Sequence, residues 1–352
     1  MTSHRLARHA WIPVILLGAV ISACSGSSEG TTATPTVSPT GTDAGGKDDI
    51  TAGGDAGDGG VGPSFGPPVV LAPAQTGLRG LAMDATDVFL TDGQTNTGGI
   101  VRRATRRPTS AVGAAVAIVT ATFGVTGTGL AVTTKGLFYS CYNGSWSICF
   151  VAKGGGTPKP FITEGTGLAG WDHIAPYGAG LWVTAPSGTW TFADDLTGLT
   201  RTSLATGTFP NVDAASVYVA SANQIQRLGK VADAGIDVVA DQQLAIRGLA
   251  LDATTLYWAL EGGQILAIDK TATVGTPRVL ATGQAGPSSL AIDTDGVYFT
   301  NAGDGTVARV PKAGGPVQIV ARDQAAPRAL RADDAGLVWV NSTGDVVGVL
   351  KR

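Results

Sequence analysis

Hydrophobic and polar positions along this chain alternate in short runs, and each run is broken by Gly, Asp, Asn or Pro. Alternation with a period of two between turn residues is the pattern of short strands joined by tight turns. The runs themselves recur. Leu81-Ala-Met-Asp84, Leu249-Ala-Leu-Asp252 and Leu290-Ala-Ile-Asp293 share one register, with Asp213 and Asp333 in diverged copies. A bulky residue follows about five positions later: Phe89, Phe138, Trp182, Tyr218, Tyr257, Tyr298 and Val338, spaced by 36 to 49 residues. Four strands per period of about 40 to 50 residues is the pattern of a β-propeller blade. The chain is therefore predicted to be all-β, a seven-bladed β-propeller, with six or eight blades as the alternatives. The blades are expected at 78–120, 127–165, 166–207, 208–243, 244–284, 285–324 and 325–352.

The last copy is short. After Ala329–Asp333, Leu337–Asn341 and Val346–Leu350 the sequence stops at Arg352, with three strands where a blade needs four. The run Pro67–Gln75 matches the segments 316–324 and 277–284, each of which precedes an inner-strand unit. The N-terminal strand is thus expected to close the seventh blade beside Val346–Leu350, covering edges that would otherwise template aggregation.

The inner Leu-Ala-x-Asp strand, the second strand Val297-Tyr-Phe-Thr-Asn301 and the third strand Gly305-Thr-Val-Ala-Arg-Val310 resemble the repeats of NHL and YVTN-type propellers. The resemblance covers 67–352 and is sharpest in blades five and six. It implies the fold and says little about function, because propellers host binding modules, lyases, lactonases and scaffolds alike.

Residues 1–23 read as a targeting segment. Arg5 and Arg8 form a positive n-region, and 12–21 is an apolar stretch too short to span a membrane. Ile21-Ser-Ala-Cys24 resembles the lipobox of bacterial lipoproteins, which implies lipidation at Cys24 and a membrane partner through that anchor. The alternatives are an ordinary secretory signal with a chance cysteine, or an uncleaved anchor. Ser25 after the cysteine fits sorting to the outer membrane, so a bacterial envelope or cell-surface location is expected. Residues 24–63 hold almost no large apolar side chain and read as a disordered tether, on the order of 35 Å by a coil estimate. Loss of Arg5 and Arg8 leaves 22 basic against 27 acidic residues, a net charge of −5, which offers no footprint for nucleic acid.

Candidate chemistry is sparse. With His4 and His9 in the leader, His173 is the sole histidine left, which removes any histidine-pair acid–base scheme and any multi-histidine metal site. The repeated aspartates are expected to cap turns rather than bind metal. No cofactor is implied. Cys141 and Cys149 flank an Asn-Gly hairpin tip and are expected to form a cross-strand disulfide in an oxidising compartment, the alternative being two buried thiols. At the mouth of the inner strands the repeat reads Arg79, Thr128, Asp172, Thr208, Arg247, Ser288 and Arg328. Converging arginines suit a carboxylate or phosphate; the alternative is that each pairs with a nearby Asp or lies along the surface. Blade three departs most from the repeat. Asp172 and His173 are expected to share a rim with Trp146 and Trp190, and exposed tryptophans beside polar groups suit sugar or peptide recognition.

Two functions follow from these residues, beside a third possibility of a purely structural envelope component. The first is a non-catalytic envelope lipoprotein whose propeller binds a protein, peptide or glycan. The second is a lyase or lactonase-type propeller enzyme using His173 or a metal in the tunnel. Convergent acids in the tunnel would favour the enzyme.

Overall fold

A computed structural model describes residues 62–352 of the chain, except 94–98, 107–114, 121–123, 143–145, 164–172, 178–179, 186–187, 193–199, 204–206 and 230–234. Cys24 and the expected leader and tether up to residue 61 lie outside the described residues. Within them every regular element is a strand, and the strands form seven antiparallel sheets of four. The inner strands are Leu78–Met83, Gly124–Val132, His173–Tyr177, Thr208–Val212, Ile246–Leu251, Pro287–Ile292 and Arg328–Asp333. Each lies against the inner strand of the next blade, and the seventh lies against the first. The ring is closed, and the fold is a seven-bladed β-propeller. Blade two begins at Gly124, a little earlier than the repeat predicts.

The bulky position of the second strand explains the spacing of the repeat. Phe89, Phe138, Trp182, Tyr218, Tyr257, Tyr298 and Val338 are all buried. The apolar clusters they join run between blades rather than within one. One of them combines Tyr257, Ala259 and Ile265 of blade five with Leu290, Phe299 and Val310 of blade six. Second strands such as Val297–Asn301 are buried on both faces for this reason.

The seventh sheet has the order predicted from the short last copy, with Val69–Ala72 added outside Val346–Leu350. Val69 pairs with Gly348 and Val70 with Val347. The clasp continues at both ends, where Gly66 N–H donates to Leu350 O at 2.9 Å and Gln75 N–H donates to Gly344 O at 3.0 Å. Leu71 and Ala72 are buried against blades one and seven, and Phe65 meets the Tyr298 ring edge-on at 6.2 Å.

The repeated aspartate caps a turn, as expected. Asp84 Oδ1 accepts from the N–H groups of Thr86 and Asp87. Asp213, Asp252, Asp293 and Asp333 make the same pair of bonds. The second carboxylate oxygen pairs with a cation from the following blade. Lys153 reaches Asp84 and Lys270 reaches Asp213, both at 2.7 Å, and Lys312 reaches Asp252 at 3.0 Å. Lys351 pairs with Asp293, and Arg106 of blade one pairs with Asp333 of blade seven. Each cation stands just past a third strand, so among the described residues five junctions carry an inter-blade ion pair at the repeated aspartate. At the remaining two, Thr133 and Tyr177 occupy the aspartate position.

These bridges carry a pH dependence. At Asp84, Asp213 and Asp252 burial raises the carboxyl pKa, but the ammonium partner and the N–H donors outweigh it and bring each to about 2. A carboxylate depressed in the folded state adds stability that is full above its unfolded pKa, about 3.9, and is lost as pH falls through the folded value. The melting temperature should therefore hold down to about pH 4 and fall steeply between about pH 4 and 2. Asp213→Asn with Asp252→Asn should lower the neutral plateau and shallow the acid limb. An acid limb of unchanged steepness in that variant would remove these bridges as its cause.

Candidate functional site

All seven inner strands contribute to one central cavity of about 590 Å³. Its wall mixes polar and apolar surface, with Leu81, Leu130, Leu249 and Leu290 at one repeated position and Ala82, Ala131 and Ala175 at the next. Crowding at the mouth explains the small residues there. A Cβ on Gly248 would stand 2.9 Å from Leu290 N, and one on Gly129 would stand 2.7 Å from an Ile174 carbon. Register shifts interrupt the inner strand at this end in six blades, for example between Leu78 and Gly80 and between Ile246 and Gly248. Such bulges re-aim side chains at the rims of β-structures. Phe209 stands there with a positive φ of 54°, a strained backbone for a bulky residue, and its side chain joins the cavity wall.

Of the residues singled out from sequence, Arg79, Arg247 and His173 line this cavity. Arg79 is exposed and has no ion partner among the described residues. Arg247 forms an exposed pair with Glu261 at 2.6 Å. Arg328 is exposed at the start of its strand and is not part of the wall. His173 begins the inner strand of blade three, opposite Thr184, with its ring 6.1 Å from that of Phe209. Asp172 lies outside the described residues. Trp146 and Trp190 head or occupy third strands, in register with Tyr142 and Val183, but their side chains lie outside what is described. The rim expected from those tryptophans is thus placed only by backbone.

The residue the repeat did not single out is Arg331. It stands where other blades have Ala82, Ala131, Ala175, Ala250 and Ala291, and it reaches the cavity from that small-residue position. The signal was present as a break in the Leu-Ala-x-Asp pattern, Leu330-Arg331-Ala332-Asp333. The Arg331 side chain is exposed to the water of the cavity. The bond described for it is NH1 donating to Leu330 O at 2.9 Å.

Other polar groups in the wall hold the blades together. Asn211 Nδ2 donates to Leu249 O, Ser288 Oγ donates to Pro327 O, and Ser289 Oγ accepts from Leu330 N–H. Asp333 is the one carboxylate among the described lining residues, and Arg106 grips it with both terminal nitrogens. The convergent acids that would favour the enzyme are not among the described residues, which include no group of three His, Cys, Asp or Glu suited to a metal ion. Away from the cavity, Cys141 and Cys149 form the expected disulfide between the second and third strands of blade two, with a Cα–Cα distance of 5.8 Å.

No family model matches the chain. No curated protein matches it either. Solved structures do. Virginiamycin B lyase from Staphylococcus aureus aligns with a TM-score of 0.58 at 15% identity, covering 82% of this chain and 99% of that one. The WD40 propeller domain of Doa1 aligns with a TM-score of 0.62 at 12% identity, over 82% and 98% of the two chains. YCF48 bound to D1 peptide aligns with a TM-score of 0.61 at 11% identity, over 83% and 98%. The likeness is one of fold.

Proposed function

We propose that this chain is a non-catalytic binding scaffold whose propeller takes a peptide segment of another protein in the central cavity, held at the bacterial envelope by a lipid on Cys24 and a flexible tether. The observation that carries the binding reading is the character of the cavity. Its wall is almost evenly polar and apolar, it carries the arginines Arg79, Arg247 and Arg331, and its described carboxylate is neutralised by Arg106. A concave site that joins apolar surface to a few convergent polar groups is the usual form of a binding pocket. YCF48, which shares the fold, is bound to a peptide in its structure. The lipobox-like Cys24 and the residues up to 63 support the anchor and the spacer.

Random peptides displayed on phage and panned against the immobilised chain test this reading. Enriched sequences are expected to lose at least about tenfold in affinity when Arg79→Glu and Arg247→Glu reverse the charge of the mouth. No enrichment, or enriched peptides indifferent to that reversal, would sink it. A second reading, a lyase or lactonase using His173, draws on that residue's place in the cavity wall. Turnover of a lactone panel that disappears in His173→Ala would select it.

A further inference from the structure

Arg331 is an exposed charge that lines the central cavity. The repeat has alanine at the same place in five other blades. Among the described residues no carboxylate pairs with Arg331, while the nearest acid of its own strand, Asp333, is committed to Arg106 and to the N–H groups of Ala335 and Gly336. Its strand neighbours also have other work: Leu330 N–H is bound to Ser289, and Ala329 holds a left-handed backbone with φ 52°. One bond is described for the five N–H donors of the guanidinium, which lines a cavity of about 590 Å³ whose mouth carries two more arginines, Arg79 and Arg247.

We propose that Arg331 is an anion-binding residue that receives a carboxylate of the bound peptide, with Arg79 and Arg247 drawing that group in from the mouth. This rests on the peptide-binding reading and adds the chemistry of the ligand. A planar guanidinium matches a carboxylate through two parallel hydrogen bonds. The carboxylate has two sources in a peptide, a Glu or Asp side chain and the C-terminus.

Small carboxylates test the site without any knowledge of the peptide. The full chain is titrated with N-acetylglycylglycine, with N-acetylglutamate amide, with N-acetylglycylglycinamide and with inorganic phosphate. NMR reports the Arg331 Nε–H signal and the backbone amide of Ala332, which lies in the same wall. Saturable shifts are expected with the two carboxylates and not with the amide; whichever carboxylate binds more tightly identifies the source. Arg331→Ala and Arg331→Gln should weaken the response of Ala332 at least about tenfold, with Arg331→Lys in between. Arg322→Ala, at the outer edge of blade six, should leave it unchanged. Alanine at the equivalent positions of other blades indicates that Arg331→Ala folds, and Arg331→Gln serves should it melt early. Absence of saturable shifts overturns the proposal, as do equal shifts with the amide or binding of phosphate alone. If panning fails while the carboxylates bind, the peptide reading falls and the anion site stands. Panning that succeeds with no carboxylate response leaves the scaffold and removes this site.

Discussion

Deleting residues 64–75 is expected to open the ring. The segment supplies the outer strand of the seventh blade, buries Leu71 and Ala72 at the seam between blades one and seven, and seats Phe65 on Tyr298. Without it Val346–Leu350 becomes an exposed strand edge, and the first and last blades are left joined by their inner strands, by what remains of the apolar cluster of Val88, Leu90, Ala104, Val338 and Val340, and by the Arg106–Asp333 pair. Leu71→Ala alone should cost about 2–5 kcal/mol, the range for a buried leucine. At roughly 2–4 °C per kcal/mol for a domain of this size, melting should drop by roughly 4–20 °C. The deletion should exceed that, with a broadened transition and aggregation visible by light scattering. A truncated chain that melts as cooperatively and as high as the full one would refute the clasp.

The second large effect belongs to the same seam. Arg106 has a side chain 3% exposed, while its partner Asp333 is 37% exposed, so the burden of burial lies on the arginine. At Asp333 burial raises the carboxyl pKa, yet the Arg106 hydrogen bonds hold it below the usual range. Asp333→Ala leaves Arg106 a carbonyl, Asp84 O, and no counter-charge, which should cost about 3–5 kcal/mol, part of it from the lost turn cap. Arg247→Ala, by contrast, breaks a pair whose members are 48% and 55% exposed and should cost no more than about 1 kcal/mol. Adding Arg106→Met to Asp333→Ala should restore part of the loss, because the unpaired charge has gone. Urea unfolding of the four chains measures all of this. Should Asp333→Ala and Arg247→Ala prove equally mild, the seam does not depend on this pair.

Much of the fold was legible because each blade repeats the same local instruction. The bulky residue of the second strand recurs seven times and the aspartate before it five times, so a weak copy such as blade four is read from its neighbours. Closure was legible for the same reason, since Pro67–Gln75 matches other outer strands. The disulfide followed from two cysteines at a hairpin tip. The mouth arginines were read from one aligned column, which captured Arg79 and Arg247 but offered Arg328 where the cavity holds Arg331, three residues further on. An alignment column ranks positions; it does not say which of them projects inward at each blade.

The sequence by itself determined the strands, the turns, the number of blades and the strand that closes them, because these depend on period-two burial and on turn chemistry within a few residues. Only the tertiary structure decided which charges meet. Lys312 finds Asp252 sixty residues away and Arg106 finds Asp333 across 227, because ring closure sets neighbouring blades side by side. Arg331 became a candidate site only once seven inner strands converged, since its environment is made almost wholly by the other six blades.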